Sequence, residues 1–330
     1  MDGPLRIGLG VYDRTLPLMA GLVRIEGVEA TFDAPPLETL FARAFDEVAY
    51  DVAELSFSNF MLLTALGKSP YVGLPVFPSR AFRHSAVYVR TDRAIRGPRD
   101  LAGRRVGVRE FTMTAALVAR GVLEDEYGLA SQDVHWVSGP ADASDSVPIV
   151  RVRPAGVRLD LAAPGENLSD LLLSGAIDAM VAYKPPPAYL ARDGLVQRLF
   201  EDYEAIEADY ARRTGRFPIM HLVGIRRELA ETRPDLAVRV CEALDAAQAY
   251  AVRRAREMQA PFTVHPWGAS AIAEAGRLLP DAFWRNGVEA NRATIEALAR
   301  YSHRQGISPR ELAVEELFAA PTLDWAPPAP

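Results

Sequence analysis

Apolar positions along this chain recur with two different periods, and the changes of period predict its elements. Leu5–Leu9 reads as a short strand, followed by a loop over Gly10–Thr15, and Val28–Phe32 alternates as a second strand. Leu37, Leu40, Phe41 and Ala44 fall at the spacing of one helical face, so a helix is predicted over Leu37–Phe45. Tyr50–Leu55 is a third strand, ending at Ser56-Phe57-Ser58-Asn59 before an apolar helix over Phe60–Ala65. The stretch Leu74–Arg90 begins apolar with two prolines and ends in alternation at Ala86–Val89, again a strand. A turn and a tight glycine bend lead to a strand ending at Val108, and Arg109–Thr114 opens a helix to Tyr127. Asp133–Val137 follows as a strand, while Ser138–Arg158 has no period and reads as a loop or hairpin. Residues 167–182 read as helix, glycine stop and buried strand, closing in Tyr183-Lys184 and a proline turn. Glu201–Arg213 is helical, and Phe217–Gly224 returns as a strand carrying His221. Beyond Arg233 the pattern is nearly all helix: Pro234–Met258, Ala269–Leu279, Asp281–Gln305 and Pro309–Phe318, with a frayed tail from Thr322. Strands alternating with helices, then helices alone, argue an α/β protein of two lobes.

Composition narrows the class. The 330 residues are 49% hydrophobic and 24% charged, with a formal charge of −6, the balance of a globular enzyme or binding protein. An acidic background speaks against a nucleic-acid partner, and no stretch approaches the ~18 apolar residues of a membrane span. The start MDGPLRIGLGVYD has no basic segment followed by an apolar one, so a cytoplasmic location is expected. Cys241 is the one cysteine, excludes an internal disulfide, and reads as a core filler.

Against that background the local cationic cluster Arg80, Arg83 and His84 points to a small anionic ligand. Arg14 stands just past a strand's carboxyl end, where open α/β sheets place ligands, although an ion pair with Asp13 would also explain it. Ser56, Ser58 and Asn59 at one strand-to-helix junction, and Thr112 and Thr114 at another, can cap helices or bind a ligand's polar groups. Tyr183 and Lys184 lie past a further strand end. There is no HExxH, paired cysteine, Walker loop, GxGxxG or GxSxG, so no metal or other cofactor is expected.

Two fragments, DLAGRRVGV before a helix and LSDLLLSGAIDAM before a strand, resemble hallmarks of type II periplasmic binding proteins. The resemblance implies two α/β lobes joined by two crossing strands with a ligand cleft between them. The expected division is residues 1–86 and 223–330 in one lobe and 87–222 in the other. YDRT at 12–15, the segment Ala53–Phe60, PVFPSRAFRHSAVYVR at 75–90, FPIMH at 217–221 and FWRNGVEANRATIEAL at 283–298 are similar to the 4,5-dihydroxyphthalate decarboxylase family. The Val/Arg/Pro-rich segment Asp145–Arg158 matches none of these motifs.

That resemblance implies loss of CO2 from a hydroxylated aromatic dicarboxylate without an organic cofactor. An aryl carbanion is unstabilised, so protonation of the ring carbon must precede or accompany CO2 departure, helped by a para hydroxyl. The site then needs cations for the retained carboxylate, a base for the phenol and an acid for ring carbon. Arg14, Arg80 and Arg83 suit the first task through two-pronged guanidinium geometry, with Arg83 the one that strand alternation turns away. Of five histidines, His84 and His221 lie in the two expected crossing strands and are the candidate proton carriers, His221 as donor to carbon. His135, His265 and His303 are read as structural. Ser56, Ser58, Asn59, Thr112 and Thr114 would bind hydroxyls or a carboxylate, Tyr183 and Lys184 would close a wall, and a desolvated Lys184 is a second candidate acid. The rival reading is a solute-binding protein holding an aromatic carboxylate without catalysis. The expected partner is the small aromatic carboxylate alone, with no nucleic acid and no membrane; a homo-oligomer is left open.

Overall fold

The elements follow one another as β1 (Leu5–Gly8), α1 (Leu16–Met19), β2 (Ala30–Asp33), α2 (Leu37–Phe45), β3 (Val52–Ser56), α3 (Phe57–Ala65) and β4 (Tyr71–Arg80). Then come β5 (Val87–Arg90), β6 (Arg105–Val108), α4 (Thr114–Tyr127), β7 (His135–Ser138), β8 (Arg158–Leu161), α5 (Leu168–Ser174), β9 (Ala179–Val181), α6 (Pro187–Leu190) and β10 (Val196–Arg198). The chain continues through α7 (Tyr203–Thr214), β11 (Ile219–Arg226), α8 (Arg227–Thr232), α9 (Pro234–Arg256), α10 (Gly268–Leu278) and α11 (Arg292–Arg304). This computed structural model describes residues 3–145, 153–191, 193–257, 265–279 and 283–328. The middle of the segment Asp145–Arg158 therefore lies outside the described residues.

Two compact units share the chain. The first comprises Met1–Arg80, Ala211–Ile295 and Ala313–Pro330; the second comprises Ala81–Tyr210 and Glu296–Leu312. The expected division had put 81–86 and 296–312 in the first lobe and 211–222 in the second, whereas the internal contacts group each of these stretches the other way. The first unit holds a five-stranded sheet in the order β2-β1-β3-β11-β4. Its β1 runs parallel to β2 and β3, while β11 is antiparallel to both β3 and β4. The second unit holds a six-stranded sheet, β10-β5-β9-β6-β7-β8, parallel from β9 through β8.

Each sheet is covered by apolar helix faces. In the first unit Leu236, Val240, Cys241, Leu244 and Ala247 of α9 pack on Ile7, Val52, Leu74 and Val223. Helix α9 starts with Pro at its first position and ends with Arg253, Arg254 and Arg256 in its last turn, the arrangement that suits free amide hydrogens and the helix dipole. In the second unit Leu168 and Leu172 of α5 pack on Tyr88, Val137 and Met180. Asn167 caps α5 by accepting from the Asp170 amide, and Gly175 ends it at φ 80°, which a side chain would resist.

Several elements differ from the sequence pattern. His84 is not on a strand: β4 stops at Arg80, and His84–Ala86 is a 3-10 turn before β5. Ser58 and Asn59 lie inside the first turn of α3, because the helix begins at Phe57. Neither Thr112 nor Thr114 is an N-cap; α4 begins at Thr114 after Met113. The expected helix over Pro309–Phe318 is a 3-10 turn at Val314–Glu316. Its end is held by Gly73, whose amide donates to Leu317 O and whose carbonyl accepts from Ala319. The tail is not frayed at Thr322, which is fully buried, and Trp325 packs against the first unit's core. Among the described residues no helix is long and apolar enough to cross a membrane.

Candidate active site

Strand register assembles the most developed polar site, and it lies within the first unit. His221 stands opposite Ser56 and Val223 opposite Glu54 on antiparallel strands, so these four side chains share one face of the sheet. Glu54 reaches along the diagonal, and its Oε1 lies 2.6 Å from His221 Nδ1. The edge of the Phe41 ring closes on the imidazole, with centroids 4.9 Å apart.

Glu54 has no exposed surface, a position where a bare carboxylate would cost several kcal/mol or more. Protein donors meet it instead: the Gly10 amide at 2.8 Å on Oε2 and the Tyr12 hydroxyl at 2.8 Å on Oε1. Burial pushes the Glu54 carboxyl up, but His221, Gly10 and Tyr12 together hold it below its ordinary value. The same burial, with Glu54 beside it, pushes the Tyr12 phenol far up, so Tyr12 stays protonated.

The loop that delivers Tyr12 is tied by Thr15, whose hydroxyl donates to Gly10 O and accepts from the Tyr12 amide. A methyl on Gly10 would come within 2.7 Å of the Tyr12 ring, so this approach of chain to ring needs glycine.

On the other side of His221 the β4–β11 ladder is irregular. Register shifts flank His221, which pairs with Ser79 while Val223 pairs with Leu74. Pro75 and Pro78 lie in the extra length of β4 and carry no amide hydrogen. The backbone groups released there find other partners. Phe77 N donates to Asn286 Oδ1, Pro75 O accepts from Gly287 N, Phe77 O from Trp284 Nε1, and Pro78 O from Arg14 Nε.

Arg14 is held by several partners. Its guanidinium lies 4.2 Å from the Tyr12 ring centre and 4.4 Å from that of Trp284, and Nη1 donates to Asp13 at 3.0 Å. Burial lowers its pKa, with Asp13 opposing. Arg14 also borders a groove of about 1220 Å³ beside α9, whose lining includes Trp284, Arg253 and Trp325 but neither Glu54 nor His221.

Among the other expected residues of this unit, Ser56, Ser58 and Asn59 are all buried, and Asn59 Oδ1 has no donor among the described residues. Arg80 is buried, and its terminal nitrogens donate to Phe217 O, Arg285 O and Asn291 Oδ1. With no carboxylate acting on it among the described residues, burial pushes Arg80 down to about 9, so it remains charged at neutral pH.

Arg83, His84, Thr112, Thr114, Tyr183 and Lys184 belong to the second unit. His84 is 2% exposed and walled edge-on by Tyr127, Phe200 and Tyr210 at centroid distances of 6.0, 5.3 and 5.5 Å. The following amide, Ser85 N, donates to Glu207, whose carboxyl burial pushes up. Burial holds Arg83 down at about 10, with Glu207 opposing. Thr112 donates to Glu110, Thr114 opens α4, and Tyr183 lines a cavity of about 10 Å³ with Arg109, roughly one water's volume. Lys184 is exposed, its ammonium 5.6 Å from the Tyr183 ring.

Three polar residues of these two sites were not singled out from the sequence. Glu54 and Tyr12 complete the His221 cluster, and Arg109 forms a two-pronged pair with Asp145. Glu54 could have been found, because a lone acid in the run Val52–Leu55 of a central strand must have a partner.

No family model matches the chain. The 4,5-dihydroxyphthalate decarboxylase of Comamonas testosteroni is 38% identical over 321 residues, covering 97% of both chains. That of Pseudomonas putida is 40% identical over 209 residues, 63% of this chain and 81% of the relative. The fold is that of the periplasmic aliphatic sulphonate binding protein SsuA from Escherichia coli, with a TM-score of 0.57 at 15% identity over 99% of this chain and 93% of the other. The desulfurization enzyme DSZB shares it, with a TM-score of 0.52 at 15% identity over 97% of each chain. A binding protein and an enzyme on one fold leave the choice between them to the site.

Proposed function

The chain belongs to the 4,5-dihydroxyphthalate decarboxylase family, and on that premise we propose that it converts 4,5-dihydroxyphthalate, or a close ring relative, to the dihydroxybenzoate and CO2. The observation that carries the chemistry is the His221–Glu54 contact of 2.6 Å, an imidazole held by a buried carboxylate with part of its ring exposed. Such a pair supplies a positioned proton carrier.

In this reading a ring hydroxyl para to the departing carboxylate pushes electrons onto the carboxyl-bearing carbon. His221 delivers a proton to that carbon, the C–CO2 bond breaks, and its electron pair restores the aromatic ring. One proton is consumed for each CO2 released. Arg14, its plane fixed between Tyr12 and Trp284, takes the retained carboxylate. Asn59, whose buried Oδ1 lacks a donor among the described residues, accepts from a ring hydroxyl, with Ser56 and Ser58 beside it.

We assign Arg80 to holding the chain, since its terminal nitrogens already serve three acceptors, and His84 to packing among its aromatic rings. Arg83, Thr112, Thr114, Tyr183 and Lys184 lie in the second unit and carry no step in this reading. The setting in this reading is cytoplasmic.

The test is CO2 release from purified protein with 4,5-dihydroxyphthalate, with His221→Ala alongside. Turnover by the wild type, with a variant that binds substrate but releases about 10²–10⁴-fold less CO2, is the expected result. Tight binding without CO2 by the wild type would overturn the enzyme reading in favour of solute binding.

A further inference from the structure

We propose that Glu54 is a positioning residue that fixes His221 in a single tautomer, with Nε2 as the nitrogen that exchanges protons, and that Tyr12 locks Glu54 in place. The inference rests on the reading of His221 as the proton carrier.

The argument starts from what surrounds the carboxylate. Oε2 accepts from the Gly10 amide at 2.8 Å, and Oε1 accepts from the Tyr12 hydroxyl at 2.8 Å. A carboxylic acid would need one acceptor of its own; the Gly10 amide can only donate, the Tyr12 phenol donates to Oε1, and a hydrogen shared with His221 Nδ1 belongs on the imidazole, the more basic partner of a carboxyl that its donors hold below its ordinary value. The cluster is satisfied when Glu54 is an anion, which accepts from everything around it. His221 Nδ1, 2.6 Å from Oε1, must then carry a hydrogen. In the neutral ring this leaves Nε2 with the lone pair; in the imidazolium it leaves the Nε2 hydrogen as the one available for transfer.

The charges facing the imidazole make the arrangement one-sided. From β3 come Glu54 and the uncharged Ser56; from β4 comes the uncharged Ser79; from α2 comes the Phe41 ring. Tyr12 is neutral and donates to Glu54, and Arg14 is close enough to act on Glu54 and Tyr12. Glu54 thus stabilises the imidazolium on the Nδ1 side while the proton at Nε2 is presented to substrate. A protein-held anion does this without the reorganisation that water would require.

The lock is steric as well as polar. Tyr12 cannot swing back toward the main chain because its ring already fills the space over Gly10, and Thr15 fixes the loop on which both stand. Glu54 therefore has three tethers on two oxygens, and rotation of its carboxylate away from His221 would strand two buried donors.

The experiment compares wild type, Glu54→Gln, Glu54→Asp and Tyr12→Phe. Long-range proton–nitrogen NMR of ¹⁵N-histidine-labelled, substrate-free protein reads the tautomer, with His221→Ala identifying the signal. CO2 release over a pH series reads catalysis. In wild type, neutral His221 is expected to carry its hydrogen on Nδ1. Glu54→Gln is expected to lose kcat by roughly 10²–10⁴-fold with KM within about threefold, and to alter the pH–rate profile. Glu54→Asp keeps the charge and should recover part of the rate; Tyr12→Phe should lose roughly 3–10-fold while keeping the tautomer.

A wild-type His221 protonated on Nε2 in its neutral form, or a folded Glu54→Gln protein with unchanged kcat and pH profile, would overturn the assignment. Should Glu54→Gln fail to fold, Tyr12→Phe and Glu54→Asp carry the test, and wild-type kcat and pH profile in both would overturn it. If the wild type decarboxylates no ring acid, the functional reading fails, while the tautomer in substrate-free protein still decides this one.

Discussion

His221 in the first unit and His135 in the second each meet a carboxylate along a strand diagonal, at 2.6 and 2.7 Å. The two imidazoles are equally shielded, with 15% and 16% of the side chain exposed. Their partners differ: Glu54 is 0% exposed and Asp160 is 56% exposed. Water solvates Asp160 and screens the pair, which is worth on the order of 0–1 kcal/mol. Glu54 is solvated by protein donors alone, so its charge acts on His221 through a medium that screens little. Contact distance would rank the pairs as equals. What lies behind the carboxylate separates them.

The sharpest way to break the comparison is catalytic. His221→Ala should lower kcat by about 10²–10⁴-fold, while His135→Ala should stay within about twofold of wild type. CO2-release kinetics on both variants measure the contrast, and equal losses would dissolve it.

Next in size is the first unit's other dry polar group. Removing the Arg80 guanidinium takes a donor from Phe217 O, Arg285 O and Asn291 Oδ1, of which Arg285 O keeps Asn291 Nδ2, so Arg80→Ala should cost about 2–4 kcal/mol and lower Tm by roughly 4–12 °C. A melt within about 2 °C of wild type would mean those acceptors are met by water.

The pH response should differ in sign between the units. Glu54 is held below its ordinary 4.5 when folded, so its contribution is full above about pH 4.5 and is lost as pH falls through the folded value. The Tm deficit of Glu54→Gln should therefore shrink in acid. Glu207 is raised above 4.5 when folded, so the folded state is penalised progressively as pH rises from there through the folded value. Relative to wild type, Glu207→Gln should gain as pH rises. Melts of the two variants between about pH 2.5 and 7 decide it, and parallel slopes would remove the distinction.

The smallest effect belongs to the exposed pair. Asp160→Asn should change stability by less than about 0.5 kcal/mol, and even that should fade in high salt. A larger loss by chemical denaturation would mean that the exposed carboxylate is not screened as argued.

Much of this fold was legible because strand and helix periods alternate cleanly through Gly224, and because the glycine stops and caps are local signals. His221 was legible as a histidine in a strand. Its partner was not, because register is a property of two strands, and nothing local says that Glu54 lies diagonal to residue 221. His84 misled for a related reason. The alternation after Ala86 extends backwards on paper through residues 81–85, but Arg80 is tied to carbonyls at 217 and 285, and the chain turns there into a 3-10 bend. For Arg80 sequence shows the cation and hides the acceptors at Phe217, Arg285 and Asn291. The tail past Thr322 is proline-rich and without a period, yet Trp325 packs against the core.

The stretch 296–312 is an insertion of late sequence into an early unit. Tyr301 fills the space over Gly121, Gln305 accepts from the otherwise buried cation of Arg120, and Arg300 pairs with Asp125, all within the second unit. A ribosome adding about 5–20 residues per second finishes residue 210 roughly 5–20 s before it reaches 312. Throughout that interval the second unit is complete in its strands but lacks its closing helix, with α4 bare along the side that Tyr301 will cover. The first unit waits longer still, for 313–330. Vectorial synthesis thus brings both cores close to completion before either is closed, so truncation within 296–312 would damage both units at once, whereas truncation within 313–330 would damage the first unit alone.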